Sequence, residues 1–342
     1  MSSYRTVSNR SPRVFFLFLM LSYISCLSPS GNIMDYKTHF ANQEESSSVS
    51  KIPVGKVRVT YLGTSSLLID DGETQILTDG FFSRPSIWKT MFTKISSDPE
   101  EIRYVMLLAD INRLKGIFVC HSHFDHAMDS PFIAKETGAK LYGSKSTLQI
   151  GRGAELPETQ MILFEPGKKI TIGKFKVTVL ASKHTPPFKI LGKTNASDPN
   201  RPDLEEALSQ PVKAEEYIEG GTYDFLVEHG KNSLLIKGST NYVEGAWKDL
   251  KVDALFLGIA MLAKQDREFQ EKYYKETVGT VMPKVVVPIH WDNFFKPLTL
   301  PLEPNLSLGD DITGAMDFMI LKTSEDKIDY RILRGFGSIL LF

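Results

Sequence analysis

The stretch Val119-Cys120-His121-Ser122-His123-Phe124-Asp125-His126 decides how this chain is read. Three histidines and an aspartate fall within six residues, although the whole chain has only seven histidines. An apolar run, residues 116–120, leads into them, so the sequence predicts a strand that ends in a ligand-rich turn. Side chains two apart in an extended segment point the same way. His121 and His123 can therefore reach one ion together, while Asp125 and His126 can swing toward a second. The bland alternative is a polar loop of solvated histidines. Ligand spacing is more specific than ligand presence, and it favours the metal.

At 342 residues and 42% hydrophobic content, the chain can bury one large core. A net charge of −1 leaves no overall footprint for nucleic acid or for an anionic membrane. Two cysteines, Cys26 and Cys120, are too few for a disulfide framework. Cys120, closing a buried strand, reads as a small hydrophobe. Oligomeric state is not legible.

Residues 1–25 read as a targeting segment. Arg5, Arg10 and Arg13 precede an unbroken apolar core, residues 14–21, which falls short of the roughly 20 residues that span a bilayer. The segment resembles a bacterial signal peptide, and Ser25-Cys26 resembles the site at which a cysteine is lipidated. Tyr23 departs from the leucine usual three places earlier, so an ordinary cleaved signal or an uncleaved anchor stays open. Residues 26–51, with Glu44-Glu45-Ser46-Ser47-Ser48, read as a flexible tether, and residues 52–342 as the folded domain. The expectation is an exported lipoprotein held to the cell envelope through Cys26.

Further along, Val57, Val59 and Tyr61 alternate with polar residues, and an Asp71-Gly72 turn separates two apolar runs. That hairpin delivers Asp79 to a strand end. Helices are expected from Pro99, from Asp129 (as the cap) to Gly138, and from Asp266 to Thr277 with Gly279 as the stop. Phe175, Val177 and Val179 mark a half-buried strand that brings up His184. Residues 185–220, rich in proline, are either a substrate lid beside His184 or a surface excursion. His229, in a turn, reads as solvated. Residues 284–289 form a strand carrying His290, and residues 297–342 are expected to pack outside the sheets.

The motif H-x-H-x-D-H resembles that of the metallo-β-lactamase superfamily, and the resemblance covers residues 57–295. It implies an α/β fold, a four-layer αβ/βα sandwich. It also implies that Asp79, in Leu77-Thr78-Asp79-Gly80, orients a metal-bound histidine. His184 would complete a first metal set with His121 and His123, and His290 a second with Asp125 and His126. Ser239, in Gly238-Ser239-Thr240, stands where most members carry a bridging aspartate. The ligand set is similar to that of the third subclass of true metallo-β-lactamases, which has serine there. A mononuclear iron dioxygenase is disfavoured, because its triad needs that aspartate.

The implied cofactor is Zn2+, one or two per chain, with Mn2+ or Fe2+ as alternatives. Asp125 and His184 would sit at the catalytic centre. A metal lowers the pKa of bound water to about 7, so hydroxide is the expected nucleophile; no G-x-S-x-G elbow offers a serine instead. The outline, from Gly63-Thr64-Ser65-Ser66 to Pro288-Ile289-His290-Trp291, is similar to the branch of ascorbate-6-phosphate lactonase and N-acyl phosphatidylethanolamine phospholipase D. That implies hydrolysis of an ester, lactone or phosphodiester in a small molecule or lipid. A β-lactamase and a catalytically idle binder are the alternatives.

Overall fold

A computed structural model describes residues 28–41, 52–187, 189–190, 193–194 and 202–342. The alternation at residues 57–61 buries Val57, Val59 and Tyr61, and the expected hairpins follow: β1 (Val57–Tyr61), β2 (Leu67–Asp70) and β3 (Gln75–Thr78). Then come β4 (Leu114–Phe118), β5 (Lys140–Gly143), β6 (Met161–Leu163), β7 (Lys169–Ile172) and β8 (Phe175–Ser182). A small ribbon, β9 (Lys189–Ile190) and β10 (Lys193–Thr194), stands apart. The chain continues with β11 (Thr222–His229), β12 (Asn232–Lys237), β13 (Ala254–Gly258), β14 (Val285–Ile289), β15 (Asp329–Tyr330) and β16 (Ser338–Leu341).

Two seven-stranded mixed sheets result, in the orders β16-β1-β2-β3-β4-β5-β6 and β15-β14-β13-β12-β11-β8-β7. Between them lies a core that includes Val59, Phe118, Phe175, Val177, Phe225 and Leu235. A second apolar cluster joins the first sheet to helices Pro99–Leu108 and Ser130–Thr137, through Ile102, Val105 and Ile133. Helices Arg267–Glu276 and Ile312–Glu325 bury Tyr273, Tyr274, Met316 and Met319 against the larger core. Each sheet thus buries one face on the other sheet and one on helices, the four-layer αβ/βα arrangement.

Several expectations need correction. The final apolar run does not pack outside the sheets: it forms β16, whose Leu341 pairs with Val57 and closes the edge of the first sheet. Unpaired β1 would expose a row of backbone donors and acceptors, so an apolar strand is worth more there than on a surface. The tether reading fails over residues 28–41. A 3-10 segment, Ile33–His39, lies on the domain, with Ile33, Tyr36 and Phe40 against the core and Phe40 bridged to Ile332. Residues 1–27 and 42–51, Cys26 among them, lie outside the described residues.

His229 is buried, with Nε2 3.2 Å from the Asp71 carboxylate, rather than solvated. Asp129 caps no helix through its side chain; its carboxylate accepts the Phe82 and Ser83 N–H groups instead. Gly279 lies inside a short helix, Val278–Val281, and Thr277 ends the one before it. In the 185–220 insertion, the described second half is a brace. Val212 pairs with Ile95, Leu204 and Leu208 join the apolar cluster, and the Glu219 carbonyl accepts the Ser122 N–H at 2.8 Å. Residues 195–201, where a lid tip would fall, lie outside the described residues.

Candidate metal centre

Every candidate residue stands just past the carboxyl end of a strand. Asp79 follows β3, the histidine cluster follows β4, His184 follows β8, Ser239 follows β12 and His290 follows β14. Side chains in the turns beyond strand ends are free to face a ligand, and open α/β sheets place their sites there. A buried pair beneath the site, Lys237 with Asp224 at 3.1 Å, is joined by Ser182 at 2.7 Å and ties β8, β11 and β12 together.

His121, His123 and His184 form a tripod. Their ring centroids are each 4.8 Å from the other two, with planes at 81–88°. The turn of helix at Phe124–Ala127 carries Asp125 and His126 to a second group with His290. There His126 Nε2 and His290 Nε2 are 3.3 Å apart, and Asp125 Oδ2 is 3.5 Å and 3.4 Å from them. Corners of a tetrahedron around an ion with bonds near 2.0–2.1 Å are separated by roughly 3.3–3.4 Å. The second triad matches that spacing on all three edges, so these residues fit a bound divalent metal. The first, all-nitrogen triad suits a borderline-soft ion such as Zn2+.

The hydrogen bonds behind the rings leave Nε2 available. His184 Nδ1 is 3.0 Å from the Thr185 carbonyl, which can only accept, so Nδ1 carries the proton. His126 Nδ1 donates in the same way to Asp79 Oδ2 at 2.9 Å. Asp79 is a hub. It also accepts from the Ser65 hydroxyl at 2.6 Å and the Cys120 N–H at 2.8 Å, and the Cys120 thiol lies 3.4 Å away. Asp79 thus holds the ring of His126, the kind of contact that orients a ligating histidine.

Electrostatics divide the cluster. Burial holds His121 well below the ordinary imidazole range, and the neighbouring histidines push it further down. Burial likewise takes His184 down to about 3, with His123 adding to it. His126 goes the other way: burial opposes its charge, but Asp125 and Asp79 beside it outweigh burial and raise it. Burial would raise Asp125, yet His126 and His290 hold it below the usual carboxylate range. Neutral imidazoles and an ionised carboxylate are the protonation states that ligate metals.

Ser239 is brought to the His184 turn. Its hydroxyl accepts the Thr185 N–H at 3.0 Å, and Thr185 in turn accepts the Thr240 N–H at 2.9 Å. Cys120 is buried, as a small hydrophobe would be, but its Sγ is 3.1 Å from His121 Nδ1 and 3.3 Å from His126 Nδ1. Burial, with Asp79 beside it, keeps the thiol protonated. Sequence reasoning missed Asp292 and Arg84. The Asp292 carboxylate accepts from Tyr61 at 2.6 Å and the Thr64 N–H at 2.7 Å, and it pairs with buried Arg84 at 2.8 Å. That network holds the loop of His290, whose own N–H is accepted by Thr64. The Gly63-Thr64-Ser65-Ser66 turn was visible in the sequence; its partners, far away in the chain, were not.

A family model described as a beta-lactamase superfamily domain matches residues 74–291. Among curated proteins, a UPF0173 metal-dependent hydrolase of Chloroflexus aurantiacus is 32% identical over 72 residues, which is 21% of this chain and 30% of that protein. Another, from Anaeromyxobacter sp., is 26% identical over 250 residues, 70% of this chain and 76% of that one. The chain spans less than half the length of the first relatives it matches, 30%, 45% and 30% of three of them. Among solved structures, Igni18, a metallo hydrolase of Ignicoccus hospitalis, superposes with a TM-score of 0.52 at 14% identity, over 84% of this chain and 99% of that one. With the sandwich, the two donor triads and a family match over most of its length, this chain belongs to the metallo-β-lactamase superfamily.

Proposed function

We propose that the protein is a metal-dependent hydrolase that cleaves an ester, lactone or phosphodiester. The observation that carries this reading is the pair of donor triads, one all-histidine and one Asp-His-His, opening on a common mouth lined by half-buried His123, His184 and His290. His121, His123 and His184 would hold the first ion, and Asp125, His126 and His290 the second. When bound, the ions supply Lewis acidity toward the scissile oxygen and a water acidic enough to attack near neutral pH. The chain's own residues do the rest. Asp79 and the Thr185 carbonyl fix the ring protons of His126 and His184, and the Arg84–Asp292–Tyr61 network sets the His290 loop. Phe294, 5.6 Å from the His290 ring, and Phe124, 6.4 Å from Phe294, give the mouth an apolar side suited to an acyl or lipid chain.

Zinc is the metal the first triad favours, with Mn2+ or Fe2+ able to replace it. The protein would work at the cell envelope, held by lipid on Cys26. The test is metal analysis of the natively purified protein together with a panel of ester, lactone, phosphodiester and β-lactam substrates, run beside His121→Ala. The expected result is bound divalent metal and cleavage of one of the first three classes, with the first-site metal and the cleavage lost in the variant. Equal metal content in the two proteins, or turnover of β-lactams alone, would overturn the reading.

A further inference from the structure

The balanced total charge conceals a local imbalance beside the metal centre. Residues 80–97 contain no aspartate or glutamate, in a chain with 41 of them, but carry Arg84, Lys89 and Lys94. Within that window the helix Ile87–Phe92 buries none of its residues. Trp88, Met91 and Phe92 are 58%, 61% and 69% exposed, and the Trp88 and Phe92 rings stack on each other at 5.9 Å. An apolar cluster held out in water with its rings already ordered marks a contact surface.

The helix is displayed on fixed supports. At its start, Arg84 is clamped to Asp292, and Phe82 and Ser83 donate to Asp129. At its end, buried Ile95 pairs with Val212. Lys89 and Lys94 are exposed alongside the aromatic residues. Tryptophan and phenylalanine beside lysine, with no acid in the helix or between residues 80 and 97 (Asp98 and Glu100 follow), is a composition that seats in the headgroup region of an anionic bilayer. The same loop touches the one that follows His290, where Arg84 Nη1 reaches the Lys296 carbonyl at 3.5 Å. The exposed helix and the mouth of the metal centre are therefore built from neighbouring loops.

We propose that the helix bearing Trp88, Met91 and Phe92, flanked by Lys89 and Lys94, docks the domain on an anionic membrane surface and presents the metal cleft to it. This holds independently of the reaction the cleft performs and of any anchor at the amino terminus.

The chain supplies its own probe. Of its three tryptophans, Trp247 and Trp291 are buried and Trp88 is exposed. The full-length protein is mixed with phosphatidylcholine vesicles, with and without phosphatidylglycerol, carrying brominated acyl chains. Trp88 emission should shift to the blue and be quenched on the anionic vesicles. Lys89→Gln and Lys94→Gln should each weaken that binding about fivefold, the worth of one lysine near such a surface. Met91→Ser with Phe92→Ser should weaken it further, and Trp88→Phe should keep binding while losing the signal. If the protein sediments with vesicles but Trp88 stays unquenched, an amino-terminal anchor alone is at work and the proposal falls. It falls equally if Trp88 shifts with protein concentration in lipid-free buffer, since the patch would then join two copies of the chain.

Discussion

Asp79→Asn isolates the contribution of the carboxylate that orients the second triad. The exchange is nearly isosteric, and Asp79 sits at φ 53°, a left-handed conformation that asparagine also tolerates. The backbone has no reason to move. What changes is the acceptor at Oδ2, which takes the His126 Nδ1 proton at 2.9 Å and the Ser65 hydroxyl at 2.6 Å. An amide has one acceptor oxygen, so either its NH2 confronts these donors or the Cys120 N–H loses its partner. The simplest relief is for His126 to move its proton to Nε2, which removes the lone pair that faces His290 and Asp125.

Loss of such an outer partner costs about 10–100-fold in metal affinity, equivalent to about 1.4–2.7 kcal/mol. The loss should fall on the second set. His121 has no direct hydrogen bond to Asp79 among the described residues; the Cys120 thiol stands between them, at 3.1 Å and 3.4 Å. The assay is a chelator-competition titration with Zn2+ or Co2+ that resolves two binding steps, with circular dichroism to confirm the fold. Without a bridging carboxylate the second set is the weaker step, so an unchanged weaker step in a folded variant, or a larger loss at the tighter step, would refute the assignment of Asp79 to His126.

Ser239→Asp should raise second-site occupancy at limiting metal, because a carboxylate there adds charge and a ligand. A carboxylate turned to the ions no longer accepts the Thr185 N–H as the Ser239 hydroxyl does, which should cost about 1 kcal/mol in folding stability; an unchanged second step would show that residue 239 does not face both ions. Asp310 accepts the Met261 N–H at 2.8 Å, and burial pushes its carboxyl up to about 6. A raised carboxyl means that the folded state holds the proton more tightly, so stability falls as pH rises from about 4 to about 6. Asp310→Asn should remove that fall, gaining up to about 2–3 kcal/mol on the wild type across the window. Urea midpoints of the metal-free proteins that run parallel would exclude it. Cys26→Ser should leave the protein in the soluble fraction or as precursor; unchanged partition with membranes would exclude lipidation.

Much of the centre was legible because metal ligation is partly a local property. His121, His123, Asp125 and His126 lie in one turn, and two-residue spacing in an extended chain already aims two of them together. Strand periodicity around β1 and β8, the Asp71-Gly72 turn and the left-handed Gly138 that closes its helix (φ 72°) were readable for the same reason, since each depends on neighbours a few residues away. His184, His290, Asp79 and Ser239 could be proposed only through resemblance, because nothing near them in the chain states which cluster they join. Tertiary structure decided the remainder. It set the 3.3 Å approach of His126 to His290, the shared use of Asp79 by Ser65 and Cys120, and the Arg84–Asp292 clamp. It also paired the last strand with the first and buried His229 on Asp71. The physical reason is common to all of these. A polar or apolar side chain shows in sequence what it needs, a partner or burial, but the partner lies 14 to 284 residues away and is chosen only when the strands and sheets assemble.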